Sequence, residues 1–89
     1  MTIYRCEDFR PIRKSNDQFG EIQTVDDAAD VFANRIARAR YGRSGYARTV
    51  RRDNWTMDGR SHTYEAFIGV DEAGGTSGRN VWLTVDVDR

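Results

Sequence analysis

Three sets of residues in this sequence have types and spacings that can do chemistry. One is a lone histidine and a lone cysteine, His62 and Cys6; the second is a pair of alternating carboxylates, Asp86 and Asp88. The third is a run of arginines, Arg48, Arg51 and Arg52, threaded through "GYARTVRRDNW" at residues 45–55. A histidine near neutral pH can act as a general base, and beside a thiol it can raise a nucleophile. No local motif marks either residue for that work. A hairpin centred on Asp58-Gly59 puts His62 near an exposed turn, opposite Trp55, where a solvated or stacked ring is expected. Cys6 in a first strand reads as a small core residue.

Asp86 and Asp88 alternate with Val85 and Val87 in "NVWLTVDVD", residues 80–88. Two carboxylates at that spacing share one face of a strand; at the end of a terminal strand their simpler role is to discourage edge pairing. The glycine-rich "AGGTSGRN" invites comparison with phosphate-cradling loops, but it has no Walker lysine and no helix after it. It reads as a flexible hairpin loop. With one cysteine the chain can form no internal disulfide and no cysteine cluster of metal-ligand spacing. The expectation is a protein that is not an enzyme and uses no cofactor and no metal.

The arginines carry more information. Thirteen of the fourteen basic residues are arginine, and fourteen acidic residues balance them to a net charge of zero. The balance is local nowhere: residues 1–34 sum to −3, residues 35–60 to +6 and residues 61–89 to −3. A basic middle lies between two acidic ends. Arginine supplies bidentate contacts to phosphate or carboxylate, although a GC-rich coding sequence would also favour it over lysine.

The elements that position these residues follow from periodicity. At 89 residues, with ten aromatics, the chain is long enough for one two-layer core, so residues 1–89 form a single domain. In "TVDDAADVFANRIARARYG", residues 24–42, Val25, Ala28, Ala29, Phe32, Ile36 and Ala39 recur at spacings of three and four, the stripe of an amphipathic helix over about 24–41. Thr24 is placed to cap it with Asp27 three residues on; Asp26, Asp27 and Asp30 load its start, Arg35, Arg38 and Arg40 its end, and Gly42 can close it.

A strand at Ile3–Phe9 is expected first, then a polar segment from Arg10 to Gln23 with the only proline, Pro11. After the helix come strands at 45–57, 61–70 and 80–88. The order is β-α-β-β-β, an α+β sandwich with one helix on an antiparallel sheet. No apolar run reaches the roughly 18 residues of a membrane span, and "MTIYRCEDF" has no signal-peptide core, so a cytoplasmic protein is expected.

The Asp58-Gly59 turn implies a register in which Val50 faces Phe67, Arg52 faces Glu65, Thr49 faces Ile68 and Arg51 faces Ala66. Ala47, Thr49, Tyr64, Ala66, Ile68, Val81, Leu83 and Val85 then meet the helix. Arg48, Val50, Arg52, Glu65, Phe67, Trp82 and Thr84 share the other face. Arginine and tryptophan dominate interface hot spots, so this second face is a binding surface unless residues 10–23 fold over it with Phe19 and Ile22, or two copies pair through it. Stacking on Trp55, Phe67 and Trp82 with arginine contacts to phosphate would suit nucleic acid. Arg52 matched by Glu65 and the absence of an RNP-like consensus weigh against that.

The helix "TVDDAADVFANRIARARYG", the basic strand "GYARTVRRDNW" and the pair "YEAFIG" and "GRNVWL" resemble, over roughly residues 19–85, small phage-borne proteins, among them several anti-CRISPR proteins of similar length. The resemblance implies an inhibitor that works without catalysis, inside the infected bacterium, by binding a CRISPR effector complex and obstructing recognition of target DNA. A multisubunit type I effector, Cascade, is the expected partner. Anti-CRISPR families share no motif, so no residue is carried over. The partner-binding residues come from the surface argument: Arg48, Arg52, Phe67 and Trp82 on the face, Arg43 and Arg79 at its rim, and Asp26, Asp27 and Asp30 as second choice for a basic partner. A small nucleic-acid-binding accessory protein is the alternative; the sequence does not separate monomer from homodimer.

Overall fold

The computed structural model describes residues 2–14, 22–52 and 60–88. Its elements are β1 (Ile3–Cys6), β2 (Ile12–Arg13), α1 (Val25–Tyr41), a 3-10 turn (Gly42–Ser44), β3 (Tyr46–Arg51), β4 (Ser61–Glu72) and β5 (Gly75–Asp88). The strands form one antiparallel sheet in the order β2-β1-β5-β4-β3, with α1 packed on one face. The α+β architecture is the expected one with a strand added: the order is β-β-α-β-β-β.

α1 forms where its end signals put it. The Thr24 hydroxyl accepts from the Asp27 N–H at 3.2 Å, and the Asp27 carboxylate accepts from the Thr24 and Gln23 N–H groups at 3.0 and 2.9 Å. This capping box satisfies orphan donors of the first turn. At the other end Gly42, with φ of 78°, donates its N–H to the Arg38 carbonyl. The buried stripe is Ala28, Ala29, Phe32, Ala33 and Ala37. It drifts from the expected one: Val25 and Ile36 are half-buried and Ala39 is exposed. Four alanines on that stripe let the helix lie close to the sheet, and Phe32 fills the centre against Tyr64, Val85 and Leu83 in the shared core.

The strand β1 ends at Cys6, short of Phe9, because Glu7 and Asp8 turn the chain: Asp8 has φ of 69° and the Phe9 N–H donates to the Cys6 carbonyl at 3.1 Å. The returning β2 pairs Ile12 with Tyr4 and Arg13 with Ile3. Ile12 is buried, and Ile22 packs against the core beneath the helix rather than over the opposite face. Phe19 lies outside the described residues.

The largest departure from expectation is the β4–β5 hairpin. Twelve consecutive pairs run from Ser61 and Asp86 to Glu72 and Gly75, so "DEAGGTSGR" is not a flexible loop; only Ala73 and Gly74 turn. The Thr76 hydroxyl donates to the Asp71 carboxylate at 3.0 Å near that turn. Gly69 pairs with Gly78, and the Phe67 ring lies over both: a Cβ on Gly78 would stand 2.6 Å from Cζ of Phe67. The two glycines make the seat for that ring.

The β3–β4 register also differs. Arg48 faces Phe67, Thr49 faces Ala66, Val50 faces Glu65 and Arg51 faces Tyr64, a slip of two residues from the Asp58-Gly59 expectation. The turn itself lies outside the described residues. A slip of two leaves every side chain on its expected face, so hydrophobic alternation cannot distinguish the registers.

Candidate functional site

The face of the sheet away from α1 carries Tyr46, Arg48 and Val50 from β3, Glu65, Phe67 and Asp71 from β4, and Thr76, Asn80, Trp82 and Thr84 from β5. No described segment covers it. Trp82 is 64% exposed and Val50 49%, the two large exposed hydrophobic residues among those described. Leaving an indole in water forgoes on the order of 1.5–3 kcal/mol of burial free energy, which makes such a residue informative.

The upper part of this face is a shallow groove of about 460 Å³ lined by Tyr46, Arg48, Phe67, Asp71 and Thr76. The rings of Tyr46 and Phe67 are tilted at 53° with centroids 6.3 Å apart, and the Arg48 guanidinium lies 5.9 Å from the Tyr46 ring centre. Tyr46 donates its hydroxyl to Asp71 at 3.3 Å. A cation held over aromatic faces is a pre-ordered contact for an anionic or aromatic group.

The other arginines of this region are already engaged. Arg52 donates from Nε and Nη2 to Glu65 at 3.3 and 3.2 Å, despite the slipped register, because it reaches Glu65 diagonally. Arg5 bonds Asp88 at 2.6 Å on the far side of the same face, and Ser61 bonds Asp86 at 2.7 Å. Arg51 turns to the helix side. Arg48 meets no carboxylate among the described residues.

Of the expected rim residues, Arg79 has the strand parity of Val81 and Leu83, which puts its side chain on the helix side of the sheet; Arg43 stands in the exposed 3-10 turn. Neither joins the open face. The acidic second choice is tied into the fold: Asp27 is in the capping box, Asp30 accepts from the Thr49 hydroxyl, and Asp26 accepts from the Tyr64 hydroxyl. Trp55 lies outside the described residues. The structure therefore brings together Arg48, Phe67, Trp82 and Arg52, and adds Tyr46 and Asp71, which the sequence argument passed over although Tyr46 shares Arg48's parity.

The potential catalytic residues are placed far from one another. His62 is buried, at 7% exposure, not at an exposed turn: it shares the parity of Tyr64 and Ala66 and faces the helix side, opposite Val85. Its Nδ1 lies 2.7 Å from Nη2 of Arg51. A guanidinium only donates, so Nδ1 accepts and the ring proton sits on Nε2. With Tyr64 and Asp26 these residues form a polar cluster between the end of β3 and the first turn of α1, with Nη1 of Arg51 4.0 Å from Asp26.

Cys6 also pairs with Val85, from the opposite side. Two strand spacings, roughly 10 Å, therefore separate Cys6 from His62. Burial, then the nearby Asp86, Glu7 and Asp8 carboxylates, raises the Cys6 thiol above its ordinary pKa, the wrong direction for a nucleophile.

Among the described residues no three histidine, cysteine, aspartate or glutamate side chains converge on a metal site, and no helix is long and apolar enough to cross a membrane. Neither a protein-family model, nor a characterised protein, nor a solved structure matches the chain.

Proposed function

We propose that this chain is a non-catalytic binding protein that docks on a protein partner through the sheet face opposite its helix. The observation that carries the reading is the exposure of Trp82 and Val50 on a face where Arg48 stands over an aromatic groove and meets no carboxylate among the described residues. The resemblance to small anti-CRISPR proteins gives the specific form. The partner is a CRISPR effector complex of the multisubunit type I class in the bacterial cytoplasm, and binding obstructs its access to target DNA.

Protein is favoured over nucleic acid by the pairing of the arginines. A phosphate-binding sheet needs several free cations. Here Arg52 and Arg5 are neutralised by carboxylates on the same face, which also bears Asp71 and Asp86.

The test is binding of the wild-type chain and of Arg48→Glu and Trp82→Ala to purified type I effector complexes, with target-DNA binding by the effector as the functional readout. Each substitution is expected to weaken binding by about 30-fold or more, the cost of losing a hot-spot contact worth about 2 kcal/mol. Retention of full inhibition by the double variant would overturn the choice of face. Affinity for free DNA or RNA that falls with salt would overturn the choice of partner.

A further inference from the structure

The strand β5 is fourteen residues long, but β1 pairs only with its last part, and the final pair sets Cys6 against Val85. Glu7 follows beside Thr84, and there the chain turns away: Asp8 has φ of 69° and the Phe9 N–H returns to the Cys6 carbonyl. Beyond that turn no described strand lies along this side of β5. The Val87 N–H donates to the Arg60 carbonyl on the β4 side, which fixes the alternation: odd residues of β5 bond to β4 and even ones face away from it. The N–H and C=O groups of Trp82, Asn80, Gly78 and Thr76 therefore face an open lane about 20 Å long, stopped at one end by the turn at Glu7 and Asp8.

Sheet edges are usually blunted by charge, proline, bulges or short length. β2 is two residues long, and on the β3 edge the Asn34 side chain accepts the Ala47 N–H at 3.1 Å. The open part of β5 has no such device: its pairing with β4 runs without a bulge, it has no proline, and Arg79 is its single charge between Thr76 and Trp82.

Two features give the lane a chemistry. At its stopped end is a recess of about 330 Å³ with Phe9, Ile36 and Leu83 in its wall and the exposed carboxylates of Glu7 and Asp8 beside them. Neither carboxylate is in an ion pair among the described residues. An apolar wall under carboxylates fits the stem and head of a lysine or arginine. Farther along, Arg79 stands on the helix side of the sheet, where a carboxylate directly across the lane would pair with it.

We infer that an extended segment of a partner protein adds to this edge as a sixth strand, in the column that β1 leaves at Cys6, with a basic side chain near the recess and an acidic one two residues later. A row of alternating N–H and C=O groups is matched only by another extended polypeptide. The added strand is antiparallel to β5, like every other pair in the sheet. Its first residue pairs with Trp82 and its seventh with Thr76. The second, opposite Val81, and the fourth, opposite Arg79, both point to the helix side. From the second position a side chain must lean about 7 Å along the strand to enter the recess beside Leu83, which lysine and arginine can do.

A second copy of β5 does not offer this chemistry. Centred on Asn80 it runs into the Glu7 turn, and centred on Arg79 it opposes two arginines. Centred on Gly78 it brings Gly75 to the second position and Ser77 to the fourth, uncharged residues at both levels. The inference does not depend on what the open face binds.

The probe is the blocked peptide acetyl-Val-Arg-Thr-Glu-Val-Thr-Thr-amide, titrated to about 1 mM into the ¹⁵N-labelled full chain and followed by the amide signals. Saturable shifts at Trp82, Asn80, Gly78 and Thr76 are expected. N-methylation of the peptide's third residue removes an N–H that faces β5 and should weaken binding at least tenfold, whereas N-methylation of the fourth, whose N–H faces away, should leave it within about twofold. Exchanging the arginine and glutamate of the peptide should also weaken binding about tenfold, and Glu7→Lys should weaken the first peptide but not the exchanged one. Absence of saturation overturns the inference, as does equal binding of the third-residue N-methyl peptide or of the exchanged peptide. Shifts confined to Tyr46, Arg48 and Phe67 overturn it too, without touching the reading of the open face. Edge amides already protected from hydrogen exchange in the peptide-free chain, or shifting with its concentration, mean that another segment or a second copy holds the lane, and equally overturn it.

Discussion

Replacing Tyr64 by phenylalanine isolates the contact that fixes the start of the helix on the sheet. Tyr64 is 1% exposed on β4 opposite Leu83, and its hydroxyl donates to the Asp26 carboxylate in the first turn of α1. The ring stays in place, so no cavity opens and the 3–5 kcal/mol penalty of an aromatic-to-alanine change does not apply. A hydrogen bond to a charged group contributes about 1.5–3 kcal/mol. The Asp26 side chain is 60% exposed and water can replace the lost donor, which brings the expected cost to about 1–2 kcal/mol. For a domain of this size that is a large share of a total near 4–13 kcal/mol and lowers Tm by roughly 4–16 °C.

Urea denaturation of wild type, Tyr64→Phe, Asp26→Ala and the double variant completes a cycle, with an expected coupling of about 1 kcal/mol and an unchanged m-value. The Asp26 substitution also removes a favourable charge at the helix start, which the cycle subtracts. A Tyr64→Phe cost below about 0.3 kcal/mol, or additive single changes, would refute the claim that this bond fastens α1 to β4.

Two further outcomes follow from ionisable groups. Hydrogen bonds from the Gln23 and Thr24 N–H groups, and then the Thr24 side chain, hold the Asp27 carboxyl below its ordinary pKa. A depressed folded-state value contributes stability above the unfolded pKa of about 3.9 and loses it as pH falls through the folded value. The gap in urea midpoint between wild type and Asp27→Asn should therefore be constant from pH 5 to 7 and close below about pH 4; a gap unchanged at pH 2 would contradict it. Cys6, buried and raised in pKa by that burial, should react with a disulfide reagent at pH 8 at least tenfold more slowly in the native chain than in urea, and equal rates would mean that the thiol is accessible.

What was legible in the sequence was local. The helix ends are read from side chains that bond within three or four residues, and Thr24, Asp27 and Gly42 do in the structure what their spacing implies. The partition of the sheet into two faces was legible for a different reason: parity survives any even slip, so Arg48, Phe67 and Trp82 stay together although the β3–β4 register moved by two. Register was not legible, because it depended on one assumed turn. The strand β2 was missed because Ile12 and Arg13 are too short a run for periodicity. His62 was misplaced by reading its distance from a turn instead of its parity with Tyr64, which alone would have turned it inward. The glycines of "AGGTSGRN" read as flexibility, whereas one of them, Gly78, together with its cross-strand partner Gly69, is needed for the Phe67 ring. Arg79 was assigned to the rim from its position in that loop, and the extension of β5 through it reverses its face.

The same pairing that displaced those expectations decides how the basic middle of the chain can act. A local charge of +6 over residues 35–60 suggests a field that attracts any polyanion. In the folded chain Arg52 is spent on Glu65, Arg51 on His62 and Asp26, and Arg35 donates to the Arg10 carbonyl, while Arg38 and Arg40 sit at the helix end. Among the described residues, what is left on the open face is one arginine held above a tyrosine, a tryptophan in water, and the Asp71 carboxylate within the same groove as the arginine. Such a surface is poor in long-range attraction and rich in short-range features, so its selectivity must come from fit at contact, with salt altering the association rate more than the dissociation rate. Under the protein-docking function proposed above, the matching partner surface would offer a recess for the Trp82 indole and a carboxylate for Arg48, and the loss of affinity on Arg48→Glu would exceed that on a neutral change at the same position.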